Sequence, residues 1–159
     1  MSAALLREAL AILRDEEQLL AALVGLAREE QRALIAADYP RVEAVSQQML
    51  EAVRRIEARE SDRLNLLRTV GLAFHALDDL AAHAENLGVH GFADVRERLA
   101  ARALELREVQ EANARLVLNA MRVRDRWAAI VAGHTSPTYS PTGQAAPPQE
   151  GSGFVSKTA

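Results

Sequence analysis

The chain has no cysteine, few aromatic residues and almost no proline before its last segment. The absence of cysteine excludes a disulfide framework and thiol chemistry. Only 4% of the 159 residues are aromatic, so a core must be built mainly from leucine, alanine and valine. Hydrophobic residues make up 49% of the chain and charged residues 26%. This profile is typical of long helices and helical bundles.

The charge balance and the length of the apolar runs exclude further classes of protein. The net charge of −3 gives no electrostatic case for nucleic acid or an anionic membrane as a partner. No apolar run approaches the ~20 residues that are needed to span a bilayer. Charged residues begin at Arg7 and Glu8, so we expect no signal peptide at this N terminus. We therefore expect a soluble, cytoplasmic protein without membrane insertion.

Proline and glycine are concentrated at one end of the chain. Four of the five prolines and four of the eight glycines lie in residues 133–159. A segment so rich in proline, glycine, serine and threonine cannot form a packed core. We therefore predict a helical bundle domain over residues 1–132 and a flexible, disordered tail over residues 133–159.

The few breaks within residues 1–132 predict an all-α fold, an elongated antiparallel bundle of three main long helices. The first helix, about residues 3–37, carries apolar side chains over roughly 200° of its surface, more than the ~100° that one neighbour requires. We expect it to pack between two helices or to leave a groove. Asp38 and Pro40 predict a short turn into an antiparallel second helix. Gly71 predicts an interruption of that helix, and Gly88 ends the segment that follows.

The last helix, predicted over residues 93–132, has the most regular pattern in the chain. Its apolar residues alternate at spacings of four and three over about five heptads, as in a coiled-coil seam. Two polar residues interrupt this seam. The aliphatic part of the Arg102 side chain can lie along the seam while its guanidinium group reaches water. Asn113 either fixes the register of the packing or faces a wet edge of the bundle.

No residue pattern predicts an enzyme. The histidines lack the spacing that would bring two imidazoles to one metal ion, and no Glu-x-x-His pair precedes any of them: His75, His83, His90 and His134. The sequence has no glycine-rich phosphate loop, and its adjacent acidic pairs diverge around a helix. The basic run RVRDRW suits the C-terminal end of a helix better than a nucleic-acid site. We therefore expect no catalytic residues, no metal and no cofactor.

Four stretches of the sequence resemble the FlgN-type flagellar export chaperones, a family of small cytoplasmic helical proteins. They are EEQRALIAADYPRVEAVSQQMLEAV, RLNLLRTVGL, NARLVLNAM and TYSPTG. The resemblance covers nearly the whole chain, and the order and spacing of the stretches carry it. Two positions depart from the family pattern. Gln48 stands where a lysine is often found, and Ser140 replaces the first glycine of the tail motif.

This resemblance implies a chaperone for the hook–filament junction (hook-associated) proteins of the flagellum. Such a chaperone binds their C-terminal helical segments, prevents premature polymerisation and delivers them to the type III export gate. A client helix would lay its apolar face into a groove between long helices. We predict client binding by six residues of the last helix: Leu106, Val109, Asn113, Leu116, Ala120 and Val123. The tail motif implies a contact between the export gate and Tyr139 and Gly143.

A self-associating coiled-coil scaffold or adaptor with no export role is the alternative. In that case the seams serve homo-oligomerisation, and Asn113 sets the register. Tyr139 would then belong to a tail that only solubilises the protein. The sequence leaves open whether the protein is a monomer or a homodimer and which junction protein it prefers.

Overall fold

The structure, a computed structural model, describes residues 3–69 and 77–133. These residues form four helices and no strand, which confirms the all-α prediction. The helices are α1 (Ala3–Ile35), α2 (Tyr39–Thr69), α3 (Leu77–Asn86) and α4 (Phe92–Val131). The predicted interruption at Gly71, the predicted tail after Gly133 and the predicted gate contact at Tyr139 and Gly143 lie outside the described residues.

A tight turn joins α1 to α2. Ala37 adopts a left-handed conformation with φ of 54°, and the next amide, that of Asp38, donates to the carbonyl of Ala33 at 2.9 Å. Asp38 then caps α2, since its Oδ1 accepts a hydrogen bond from the amide of Arg41 at 3.2 Å. Pro40 lies in the first turn of α2, where an amide hydrogen would have no helical partner. The cap and the proline therefore place the start of α2 where the sequence predicted it.

Ion pairs show the direction of each long helix. Arg41 at the start of α2 pairs with Glu29 near the end of α1. Arg63 near the end of α2 pairs with Glu16 in the first half of α1. The two helices therefore run in opposite directions. Along α4, residue numbers rise together with those of α1, because Arg102 lies beside Glu17 and Asn113 contacts Ala27 and Glu30 further on.

The hydrophobic core lies around the first half of α1. Leu67 from α2, two residues of α3 and the start of α4 pack against α1 there. The buried members are Leu6, Ala9, Leu10, Leu13, Leu67, Leu80, Ala84, Val89, Phe92 and Val95. Further along, Leu23, Val24 and Ala27 are also buried on α1, and Val45 and Ala52 on α2. α1 thus has α2 on one side and α4 on another, which accounts for its wide apolar surface.

The chain divides into two compact units at residue 118. The first unit, Met1–Leu118, contains α1, α2, α3 and the first part of α4. The second unit begins at Asn119; its described residues continue α4 to Val131 and are all exposed. In the part of the chain that the structure describes, no helix combines the length and the apolar character that a membrane crossing needs.

Candidate functional site

The structure divides the six residues predicted for client binding into three groups. Asn113 is buried, with 4% of its surface exposed. The half-buried members are Leu106, Val109 and Leu116. The exposed members, which belong to the second unit, are Ala120 and Val123. Only the first four therefore lie in the unit that contains α1 and α2.

Asn113 is bonded to α1 through its amide nitrogen. Nδ2 donates to the backbone oxygen of Ala27 at 3.0 Å and to Oε2 of Glu30 at 2.9 Å. Its Oδ1 is buried and has no hydrogen-bond partner among the described residues. Both acceptors lie on α1, so the side-chain amide can satisfy them only with its nitrogen turned toward that helix. Asn113 therefore fixes the register of α4 along α1 and does not face a wet edge of the bundle.

Glu30 connects three helices. Its Oε1 accepts a hydrogen bond from the hydroxyl of Ser46 on α2 at 3.0 Å, and its Oε2 accepts the bond from Asn113 on α4. The Glu30 side chain is half-buried. Within residues 3–69 and 77–133 the structure shows no ion pair for it, and the two hydrogen bonds that it accepts come from neutral donors.

An open groove lies between α1 and α4 beside Asn113. It has a volume of about 390 Å³ and is lined by Glu30, Leu34, Gln110, Asn113, Ala114, Val117 and Leu118. Its apolar residues are open to solvent, with Val117 41% and Leu118 53% exposed. We call this feature the α1–α4 groove. Exposed apolar walls between two long helices are the setting in which an amphipathic helix of a partner binds.

Ion pairs join α1 and α4 on the N-terminal side of the groove. The guanidinium of Arg102 lies 3.9 Å from Glu17 and donates to Glu105 at 3.0 Å. Arg98 also lies 4.0 Å from Glu17, and Arg28 of α1 pairs with Glu105. Arg102 thus keeps its charged head at the surface while its side chain is half-buried, as the seam predicted. Pairs this exposed add little stability, so their main effect is on the orientation of α4.

The geometry can be set beside known proteins. The family model described as FlgN protein matches residues 1–147. The chain belongs to the FlgN family. This confirms the resemblance seen in the sequence, and it places the chain among flagellar export chaperones. The match covers all four helices and extends through Tyr139 and Gly143. No curated protein and no solved structure matches the chain.

The walls of the groove in this FlgN-family chain were not among the residues predicted from the seam. Val117 and Leu118 follow Leu116 directly, and three consecutive residues on a helix spread over ~200°. They cannot all face α1, so at least one must point away from the seam. The run Leu116, Val117 and Leu118 was therefore a signal for an exposed apolar wall. Leu34 is one of the apolar residues of the first helix, but its place beside α4 depends on the register of the two helices.

The side chains of the FlgN-family site suit binding by contact and hydrogen bonding. Among residues 3–69 and 77–133, no three histidine or acidic side chains are placed to hold a metal ion. His90 lies 2.8 Å from Glu85, away from the groove lining. His75 and His134 lie outside the described residues. What the groove presents is an apolar surface, the carboxylate of Glu30 and the side-chain amides of Gln110 and Asn113.

Proposed function

We propose that this FlgN-family protein is a cytoplasmic export chaperone for the hook–filament junction proteins of the flagellum. In this proposal the α1–α4 groove binds the C-terminal helical segment of a client and prevents its premature polymerisation. The chaperone then delivers the client to the type III export gate. The observation that carries the proposal is an apolar groove, open to solvent, in a chain of this family.

The physical basis is the exposed apolar surface of the groove. Val117 and Leu118 leave about half of their surface in water, and fully burying a side chain of this size contributes about 1.5–3 kcal/mol. An amphipathic client helix has a matching apolar face that would otherwise drive polymerisation. Docking one face on the other removes both from water without any chemical step. A chaperone of this kind needs no cofactor.

The proposed site shifts along α4 relative to the sequence prediction. Asn113 stays in it as part of the groove, with Leu34, Val117 and Leu118 as the walls. Leu106, Val109 and Leu116 are half-buried and do not line the groove. Ala120 and Val123 stay predicted client contacts of the second unit.

A matched pair of variants tests the groove. Leu118 and Leu50 are 53% and 52% exposed, but Leu118 lines the groove and Leu50 lies on α2 outside it. Binding of the C-terminal segment of a junction protein, ~40 residues so that several helical turns can form, is measured by titration calorimetry. Leu118→Asp should weaken binding about tenfold or more, because it buries a charge against an apolar face. Leu50→Asp should bind as the wild type does.

Circular dichroism and thermal unfolding accompany the titrations. Both variants should stay helical, since both positions are exposed. Equal losses of affinity in the two variants, or no loss in either, would place the client elsewhere and would refute the groove as its site.

The self-associating scaffold is the second candidate. One observation favours it: in the second unit Val123, Trp127 and Ile130 are exposed at the spacings of a coiled-coil seam. Two such stripes can pair with each other. This candidate predicts a stable oligomer of the chain alone and no affinity for junction proteins.

A further inference from the structure

The floor of the α1–α4 groove contains a buried acceptor that is not used. Asn113 has two amide hydrogens, and the structure assigns one to Ala27 and the other to Glu30. Turning the amide over would place its oxygen against these two acceptors, so the orientation is fixed. Oδ1 is then left buried, with no donor in the part of the chain that the structure describes. Such an atom costs free energy until something donates to it.

The carboxylate of Glu30 adds further unused hydrogen-bond acceptor positions to the same groove. It is the only charged residue in the lining, and no ion pair to it is formed among residues 3–69 and 77–133. Each of its oxygens accepts one hydrogen bond, from Ser46 and from Asn113. A carboxylate has about four acceptor positions, so it can accept further bonds. The groove is therefore apolar along its walls and negative at one point of its floor.

We propose that the α1–α4 groove selects a client helix that carries an arginine or lysine among its apolar residues. This inference rests on the proposed function. The cationic group pairs with the carboxylate of Glu30 and donates to Oδ1 of Asn113. Its aliphatic stem lies along the walls formed by Leu34, Val117 and Leu118, as long basic side chains do on apolar surfaces. Asn113 Oδ1 is covered in the empty groove, so this bond forms as the lining side chains rearrange around the client.

The same chemistry discriminates against other helices. A wholly apolar helix would cover Glu30 and remove the water that hydrates its charge, but it would offer no hydrogen-bond donor in place of that water. A helix with an acidic residue at this position would be repelled by Glu30. A cationic donor compensates the negative charge of the carboxylate and also donates to the amide oxygen, with bonds of the stronger, charge-assisted kind. The groove thus rejects wrong partners as well as binding the right one.

A double-mutant cycle tests the proposal. In the ~40-residue C-terminal segment of a junction protein, each arginine and lysine is replaced in turn by methionine, which has a similar apolar stem and no charge. Each peptide is titrated against the wild type and against Glu30→Gln. Glutamine at this position can accept from Asn113 and donate to the Ser46 hydroxyl, so the contacts among the three helices are retained. Circular dichroism and a thermal melt check this.

One basic residue of the client should stand out. Its replacement should weaken binding to the wild type about tenfold to a hundredfold, the range for a hydrogen bond to a charged group. The same replacement should weaken binding to Glu30→Gln by less than about threefold, because the charge has already been removed. Glu108→Gln serves as the control: Glu108 is exposed on α4 and absent from the groove lining. Glu108→Gln removes one negative charge, and against this variant the client replacement should still weaken binding about tenfold or more.

The outcomes separate this inference from the proposed function. If the unchanged client segment does not bind the wild type, the chaperone proposal fails and the inference fails with it. If the segment binds but no single replacement weakens binding more than about twofold, the inference is wrong and the chaperone proposal stands. The inference is also wrong if the losses of binding free energy caused by the client replacement and by Glu30→Gln simply add. Additivity means that the two groups do not interact.

Discussion

Glu16 and Arg63 form a buried ion pair between α1 and α2. Arg63 Nε donates to Glu16 Oε1 at 3.0 Å, and Glu16 is only 7% exposed. Burial raises the pKa of Glu16, the hydrogen bond and charge of Arg63 oppose that rise, and the nearby charge of Glu60 adds to it. The pair therefore fixes how α2 lies on α1 but contributes little net stability near neutral pH, where a buried carboxylate is costly.

The raised pKa predicts a particular pH dependence of stability, which Glu16→Gln should reveal. A carboxyl with a higher pKa in the folded state than in the unfolded state binds more protons when folded. Its contribution to the free energy of unfolding is therefore largest at low pH. It falls as the pH rises from the unfolded value, about 4.3, through the raised folded value. Glutamine can still accept the bond from Arg63 but does not titrate.

Urea unfolding of the two proteins at a series of pH values measures this effect. The difference, the free energy of unfolding of the wild type minus that of Glu16→Gln, should increase as the pH is lowered from about 7 to about 4. Taking the difference cancels the titration of the other carboxylates. A difference that stays constant over this range, or that changes in the opposite direction, would show that the pKa of Glu16 is not raised.

The helices show how far local sequence determines this fold. The seam predicted the last helix over residues 93–132, and α4 spans Phe92–Val131. α1 ends at Ile35, two residues before the predicted end, because Ala37 already has the left-handed conformation of the turn. α3 ends at Asn86, just before Gly88 with its φ of 69°, as predicted. Spacing, caps and glycines act over a few residues, so they can be read from a single sequence.

The groove could not be read in the same way, because it depends on how α4 is placed along α1. Asn113 was recognised as a polar interruption of the seam, but its acceptors, Ala27 and Glu30, lie more than 80 residues away in sequence. Their contact brings Leu34 beside Leu118. A heptad pattern shows which face of a helix is apolar and does not give the offset between two helices. Of the six predicted residues, only Asn113 therefore lines the groove; the seam alone does not show which side chains the offset brings together.

The exposed end of α4 leads to a prediction about stoichiometry. Val123, Trp127 and Ile130 form an apolar stripe of the second unit, which either a client or a second copy of the chain can cover. If the protein is a chaperone, adding the client segment should produce a complex with one copy of each chain, whatever the oligomeric state of the free protein. Size-exclusion chromatography with light scattering measures the mass. A stable oligomer whose mass does not change on adding the client would support the scaffold instead.

The chain as a whole places its two proposed contacts far apart in sequence. The groove is built from residues 30–118, whereas Tyr139 and Gly143 lie beyond the described residues but within the part that the family model matches. Two binding elements on one chain raise the effective concentration of the second partner once the first is bound. This advantage requires that each contact can form without the other. We therefore expect client binding and gate binding to be lost by different substitutions.

Tyr139→Ala should weaken binding to the export gate component about tenfold, the effect expected for removing an aromatic anchor from a small contact. It should leave the affinity for the client segment unchanged. Leu118→Asp should show the reverse pattern, and Thr138→Ala is the control for a change in the tail that keeps the tyrosine. Pull-down on immobilised gate component, with and without client, measures the first affinity, and calorimetry measures the second. If gate binding is unchanged in Tyr139→Ala, the proposed role of the tail is wrong. If either variant loses affinity for both the gate component and the client, the two contacts are not independent.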